Sequence, residues 1–240
     1  SYQRETRMPH GRRFRDAWFA AALATLGALP LAAQVVDEGT FNVRIDGQLV
    51  GTEEFSIRQS GTGANQETIA TGRVQLRLPS GTLEISPRLR ASGPGADLVA
   101  YQVDVGGDSP RKIIGTLGSG RFSARISSPS GEQLREYVAS SGAVVLDDGV
   151  AHHYSLLTHR SRGGQVPVLI PRENRQVVAT VTSRGEQNVD IEGSTLRATQ
   201  LIIQIAGGGE RRVWVDGRNR VLRVEIPERS YVAVRSAAPR

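Results

Sequence analysis

The chain has 240 residues, a formal net charge of +6 and no cysteine, which excludes disulfides, thiolate metal sites, a cysteine nucleophile and a lipid-anchored cysteine. Hydrophobic residues make up 38% and charged residues 22%, a balance that suits a globular protein and not a disordered one. Of 30 basic residues only Lys112 is lysine, and beyond residue 33 there are 25 basic against 22 acidic residues with no run of like charge longer than two, so nucleic acid is not an expected partner.

Residues 1–33 read as upstream residues and a secretory signal peptide. Met8 is the expected start, and Arg12, Arg13 and Arg15 form a basic leading region. Ala17 to Ala33 is rich in alanine and leucine, with Pro30 near its end. Leu31-Ala32-Ala33 then offers a cut that leaves Gln34 first. An uncleaved anchor is the alternative, because the apolar stretch approaches the length of a membrane span. Alanine richness and the late proline favour cleavage. Arg12-Arg13 hints at twin-arginine export, but the residues around it match poorly. Export would place the mature chain in the periplasm or outside the cell. Its membrane contact would be through the signal segment alone, before cleavage.

From Gln34 onward nearly every segment alternates apolar and polar residues, the signature of half-buried strands. Phe41, Val43 and Ile45 alternate up to Asp46-Gly47, a hairpin turn signal, and Phe55 and Ile57 lie on the returning strand. Val74, Leu76 and Leu78 stop at Pro79-Ser80-Gly81. Leu83, Ile85 and Leu89 follow, then the turn Ser92-Gly93-Pro94-Gly95. Val99, Tyr101, Val103 and Val105 give the clearest alternation. Ile113 to Leu117 and Phe122, Ala124 and Ile126 flank Gly118-Ser119-Gly120, and Leu134 to Val138 extends the series.

One stretch departs from this rhythm. After Asp147-Asp148-Gly149, the residues Val150, Ala151, Tyr154 and Leu157 share one face at 3.6 residues per turn, which predicts a helix over about 148–160. Asp147 or Asp148 is the expected N-cap, Arg160 and Arg162 suit the far end, and Gly163-Gly164 stops it. Such a helix is expected to close one mouth or side of the sheet. Strands then resume at Val166 to Ile170 and at Val177 to Val181. Val189 to Ile191 follows an expected turn at Ser183-Arg184-Gly185. Thr195 to Ile205 runs to the turn Gly207-Gly208-Gly209, and Val213 to Val215, Val221 to Ile226 and Tyr231 to Val234 finish the chain. The expectation is all-β: one antiparallel curved sheet, half-barrel or barrel, over residues 34–240, with one short helix across or inside it.

Catalytic signatures are scarce. His152, His153 and His159 fall on the helix, but His152 and His159 stand two turns apart, about 10.5 Å along the axis, whereas two ligands of one metal would sit at i and i+4. His152 and His159 project opposite the apolar face, where solvent is expected, and His153 borders that face. There is no G-x-S-x-G elbow and no H-E-x-x-H. Glu53-Glu54 are neighbours on a strand and point to opposite faces, which does not favour a two-carboxylate pair. No catalytic residue, metal ligand or cofactor site is assigned.

Val213-Trp214-Val215-Asp216-Gly217 through Val224-Glu225-Ile226-Pro227, and Val145-Leu146-Asp147-Asp148-Gly149 ahead of the helix, resemble segments of uncharacterised bacterial envelope proteins that share an antiparallel half-barrel with the lipoprotein carriers. The opening hairpin, with Gly39-Thr40-Phe41 and Gly51-Thr52-Glu53, is similar too. The resemblance implies a curved sheet around an apolar concavity, with a helix inside or across it. It carries over no functional residue. Two functions are expected from this. The first is a binding or carrier module for an apolar ligand, a lipid or acyl chain, with Val150, His153, Tyr154 and Leu157 lining its cavity. The second is a non-catalytic structural or protein-interaction module of the envelope with a closed core. An enzyme has the least support.

Overall fold

The computed structural model describes residues 33–160 and 164–240; the expected signal helix, and the expected helix end at Arg162 and Gly163, lie outside the described residues. Alternation becomes strand nearly everywhere. The first run comprises β1 (Gln34–Ile45), β2 (Gln48–Ser60), β3 (Glu67–Leu78), β4 (Gly81–Ser92), β5 (Asp97–Gly107), β6 (Arg111–Gly118), β7 (Arg121–Ser128) and β8 (Gly131–Val138). After the two-residue β9 (Val144–Val145), a 3-10 turn at Ala151–His153 leads into α1 (Tyr154–Arg160). The chain closes with β10 (Gly164–Ile170), β11 (Arg175–Ile191), β12 (Ser194–Ile205), β13 (Gly209–Val215), β14 (Val221–Ile226) and β15 (Tyr231–Arg235).

These strands form one sheet in the order β8-β7-β6-β5-β4-β3-β2-β1-β15-β14-β13-β12-β11-β10-β9. It is two antiparallel meanders joined where the first strand of the chain pairs with the last, Phe41 opposite Arg235 and Ile45 opposite Tyr231. The exception is β9, which pairs parallel with β10, so α1 is the crossover of a βαβ unit. The Asp46-Gly47 turn has positive φ at both positions (50° and 76°), the geometry whose twist matches two-residue hairpins.

Register shifts between Val35 and Asp37, Val43 and Arg44, Arg90 and Ala91, and Trp214 and Val215 add bends that curl the sheet. One of the expected turns is instead such a bend. Ser183-Arg184-Gly185 does not reverse the chain; β11 runs through it as a 17-residue strand with a bulge between Ser183 and Gly185. Glycine takes the φ of +88° that the bulge requires, and the Gly185 N–H donates to Ser183 Oγ at 3.2 Å. The reversal comes later, at Glu192-Gly193.

The sheet remains open between β8 and β9, but the curl brings the β8 end to β11. There Gln176 acts as a short length of strand: its Oε1 accepts the Val138 N–H at 3.0 Å and its Nε2 donates to the Val138 carbonyl. Tyr137 adds a hydrogen bond from its hydroxyl to Asn174 Oδ1 at 3.1 Å. The enclosed core is continuous. Phe41, Val74, Ile85, Val103, Ile113 and Phe122 from the first meander share it with Val168, Ile203, Val213 and Val224 from the second. Arg235 sits at the junction of the meanders, 1% exposed, paired with Asp37 and stacked over the rings of Phe41 and Phe55.

Candidate functional site

Around the helical segment several polar side chains, Glu53, Asp147, Asp148, His152 and His153 among them, enter this core. Val150, His153 and Leu157 are 0% exposed and Tyr154 is 1% exposed, and Val150, Tyr154 and Leu157 belong to the apolar cluster formed by both meanders. The helix therefore lies inside the curl. His152, expected to face water, is 1% exposed, and the correction has a plain physical reason. A helix wheel assumes one solvent face, but strands β3 and β14 flank the start of this helix, so its polar side is enclosed as well. His159 is exposed, as its position predicts.

Space for His152 is made by Gly72 on β3, where a Cβ would stand 2.6 Å from His152 Cε1. The ring stacks on Phe55, with centroids 5.5 Å apart and an interplanar angle of 6°, and meets the His153 ring edge-on at 4.8 Å. Its charge-bearing partner comes from β2. Glu53 is fully buried while Glu54 is exposed, so the adjacent acids do face opposite ways. Glu53 Oε2 accepts the Ala151 N–H at 2.6 Å, and Oε1 accepts the His152 N–H at 2.9 Å and meets His152 Nδ1 at 2.7 Å. This carboxylate does the work expected of an N-cap: it satisfies free N–H groups and places negative charge at the positive helix end.

Asp147 and Asp148 do not cap the helix. Val150 precedes the first turn in an extended conformation, without a side-chain cap bond. Asp147 instead accepts from the Tyr101 hydroxyl and from Arg172 Nε, while its own N–H donates to His153 Nδ1 at 3.2 Å. Asp148 Oδ2 pairs with Arg229 at 2.8 Å and Arg211 at 3.4 Å. The two aspartates thus tie the turn before the helix to β5, β13 and the Pro171–Glu173 and Pro227–Arg229 turns.

The hydrogen bonds fix the tautomers. His153 accepts at Nδ1, so the neutral ring carries its hydrogen on Nε2; His152 donates from Nδ1 to a carboxylate. Burial, then His152 and Arg172, hold His153 well below the ordinary histidine value. Burial, then Asp147, pushes the Tyr101 hydroxyl well above its ordinary value, and burial raises Tyr154 and Tyr231 in the same direction. Among the described residues, the Nε2 atoms of both histidines and the hydroxyls of Tyr154 and Tyr231 have no hydrogen-bond partner.

Chemically, the cluster has an oriented acid–imidazole pair, and among the described residues no nucleophile lies within hydrogen-bond reach of either Nε2. Among the described residues, no group of three or more His, Cys, Asp or Glu side chains is arranged to hold a metal ion. Five cavities among the described residues, of 240 to 560 Å³, are lined by strands, turns and the C-terminal segment, and none of the five by residues 150–160. Sequence reasoning missed Glu53, His152, Asp147 and Tyr101 as members of one group, because the contacts span 46 to 99 residues. The available signal was an acid in a strand at a position whose alternation pointed inward.

No family model matches the chain, and no curated protein does. Among solved structures, it is similar to the crystal structure of a β-barrel-like protein of a domain of unknown function, DUF1849, from Brucella abortus. The TM-score is 0.55 at 13% identity, covering 86% of this chain and 96% of that one. At that identity the likeness is one of fold: both are β-barrel-like, all-β architectures. The expected half-barrel therefore has a solved counterpart, itself without an assigned function.

Proposed function

We propose that the chain is an exported, non-catalytic module of the bacterial cell envelope, which acts by binding a partner on its outer surface and whose barrel is closed by its own helix. The observation that carries this reading is the burial of Val150, His153, Tyr154 and Leu157 at 0–1% exposure, three of them, Val150, Tyr154 and Leu157, in the apolar core shared by both meanders. A carrier of lipid or acyl chains needs an apolar cavity of a few hundred Å³ where those four residues sit. Here they pack against protein, and the helix start is bonded to Glu53 from below. Localisation to the periplasm or the medium rests on the basic and alanine-rich residues before Gln34.

Titration with a fluorescent fatty acid separates the two readings. The closed module leaves probe emission unchanged up to concentrations at which known acyl carriers saturate. Saturable binding that weakens in Leu157→Ala would establish the carrier instead. Mass spectrometry of protein secreted by its own host should show a mature chain beginning near Gln34; an intact leader in the membrane fraction would contradict export.

A further inference from the structure

Strand β8 is the open edge of the sheet, and everything on it from Glu132 to Glu136 is exposed. Its hydrogen-bonding side is set by Val138, whose N–H and C=O both turn away from β7 to Gln176. Backbone groups alternate sides along a strand, so those of Glu132, Leu134 and Glu136 face the same open edge, with no neighbouring strand there among the described residues. Side chains alternate too. Tyr137 points into the core at 6% exposure, so Glu132, Leu134, Glu136 and Val138 share the outer face, with Leu134 at 74% exposure.

From this arrangement we infer that β8 takes up an extended segment of another protein by strand addition, and that the segment carries an apolar residue between two basic ones at alternate positions. Free donors and acceptors in a row are what an extended backbone pairs with. Glu132 accepts from Ser127 Oγ at 3.2 Å and Glu136 from Arg121 at 3.1 Å, each through one carboxylate oxygen toward β7; on the open side the outward acid-apolar-acid pattern defines the complementary one, basic residues opposite Glu132 and Glu136 and an apolar residue opposite Leu134. That apolar residue would extend the row Ile114–Arg125–Leu134, which crosses β6, β7 and β8 beside a groove of about 450 Å³. A second copy of this chain is a poor occupant. Antiparallel pairing of two β8 edges with Leu134 opposite Leu134 sets Glu132 against Glu136 twice, and like charges directly opposite are destabilising. The inference deepens the reading of an outward-acting module, on which it rests. The two fail separately, because the fatty-acid probe reports the interior and the peptide below reports the edge.

The test uses a capped peptide, Thr-Lys-Thr-Val-Thr-Lys-Thr, palindromic so that strand direction is immaterial, and its counterpart with glutamate at both lysine positions. Anisotropy titration should show the lysine peptide binding roughly tenfold tighter than the glutamate peptide, the size expected for two charge pairs reversed in sign. Hydrogen exchange should slow at the amides of Glu132, Leu134 and Glu136. The double variant Glu132→Lys with Glu136→Lys, at exposed positions that leave the core intact, should invert the preference. Equal binding of both peptides, no binding at millimolar concentration, protection elsewhere, an unchanged preference in the variant, or self-association through β8 would each overturn the proposal.

Discussion

Glu53 and His152, 99 residues apart, meet where β2 passes beneath the start of the helix, through a 2.7 Å contact between carboxylate and ring and a 2.9 Å hydrogen bond from the His152 N–H. One carboxylate therefore both caps the helix and orients an imidazole, on a side chain without solvent exposure. Removing it leaves buried donors without partners. Glu53→Ala should destabilise by about 3–5 kcal/mol, and Glu53→Gln, which keeps one acceptor oxygen, by about 1–3 kcal/mol. Denaturant unfolding of both variants checks the order. Equal and small losses would show that the cap is not what holds the helix.

Gly72 tests the same docking from the opposite strand. A methyl group there meets the His152 ring at 2.6 Å, so Gly72→Ala should cost about 1–3 kcal/mol through overpacking. Combined with His152→Asn, which shrinks the ring, the losses should fail to add by about 0.5–3 kcal/mol in a double-mutant cycle. Additive losses would mean that the two residues do not touch in solution.

Much of the fold is legible in the alternation of residues such as Phe41, Val43 and Ile45, because burial on one face imposes a period of two that local sequence carries. The helix is legible in the same way from Tyr154 and Leu157. What local sequence does not carry is the surroundings. His152 reads as solvent-facing because its wheel position is polar, yet it is enclosed by β3 and β14, both far from it in sequence. Asp147 and Asp148 read as caps because their spacing fits, while Tyr101, Arg172, Arg211 and Arg229, all distant, claim their oxygens. Gly185 shows the remaining ambiguity: a glycine that takes positive φ serves a turn or a bulge equally well.

The buried titrating groups give stability a defined pH window. His153 is held below 6.5, so the unfolded chain takes up a proton that the folded chain refuses. Stability from the neutral ring is complete above about pH 6.5 and falls as the pH drops below it. Tyr101, Tyr154 and Tyr231 are raised above 10.0. Unfolded tyrosines ionise near pH 10 while these stay neutral, so stability falls again as the pH rises past that value, by up to about 4 kcal/mol per pH unit for three groups. Denaturation midpoints across pH 4–12, about the span of both transitions, should trace a plateau with two falling sides. A midpoint that keeps rising above pH 10 would contradict the burial of the tyrosines.

Tyr231 separates polar from apolar contributions. The residue is 5% exposed and its hydroxyl has no partner among the described residues. Tyr231→Phe should therefore be neutral or stabilising by up to about 1–2 kcal/mol, since it removes a buried group that gains no hydrogen bond. It should also make the alkaline decline shallower by one group. A loss above 2 kcal/mol, to order of magnitude, would reveal a hydrogen bond to that hydroxyl.

The helix fills the barrel, and Leu157 is the residue whose packing depends on it. Its side chain is fully buried in the shared core, so Leu157→Ala should cost about 2–5 kcal/mol, as for other packed leucines. The decisive measurement is native mass spectrometry of the wild-type protein and Leu157→Ala, each purified from the protein's own host alongside its unfolding curve. The wild type should show the mass of the bare mature chain, and the variant the full packing loss. A stoichiometric lipid adduct on the wild type, with a variant that loses the lipid and almost no stability, would contradict a helix-filled barrel.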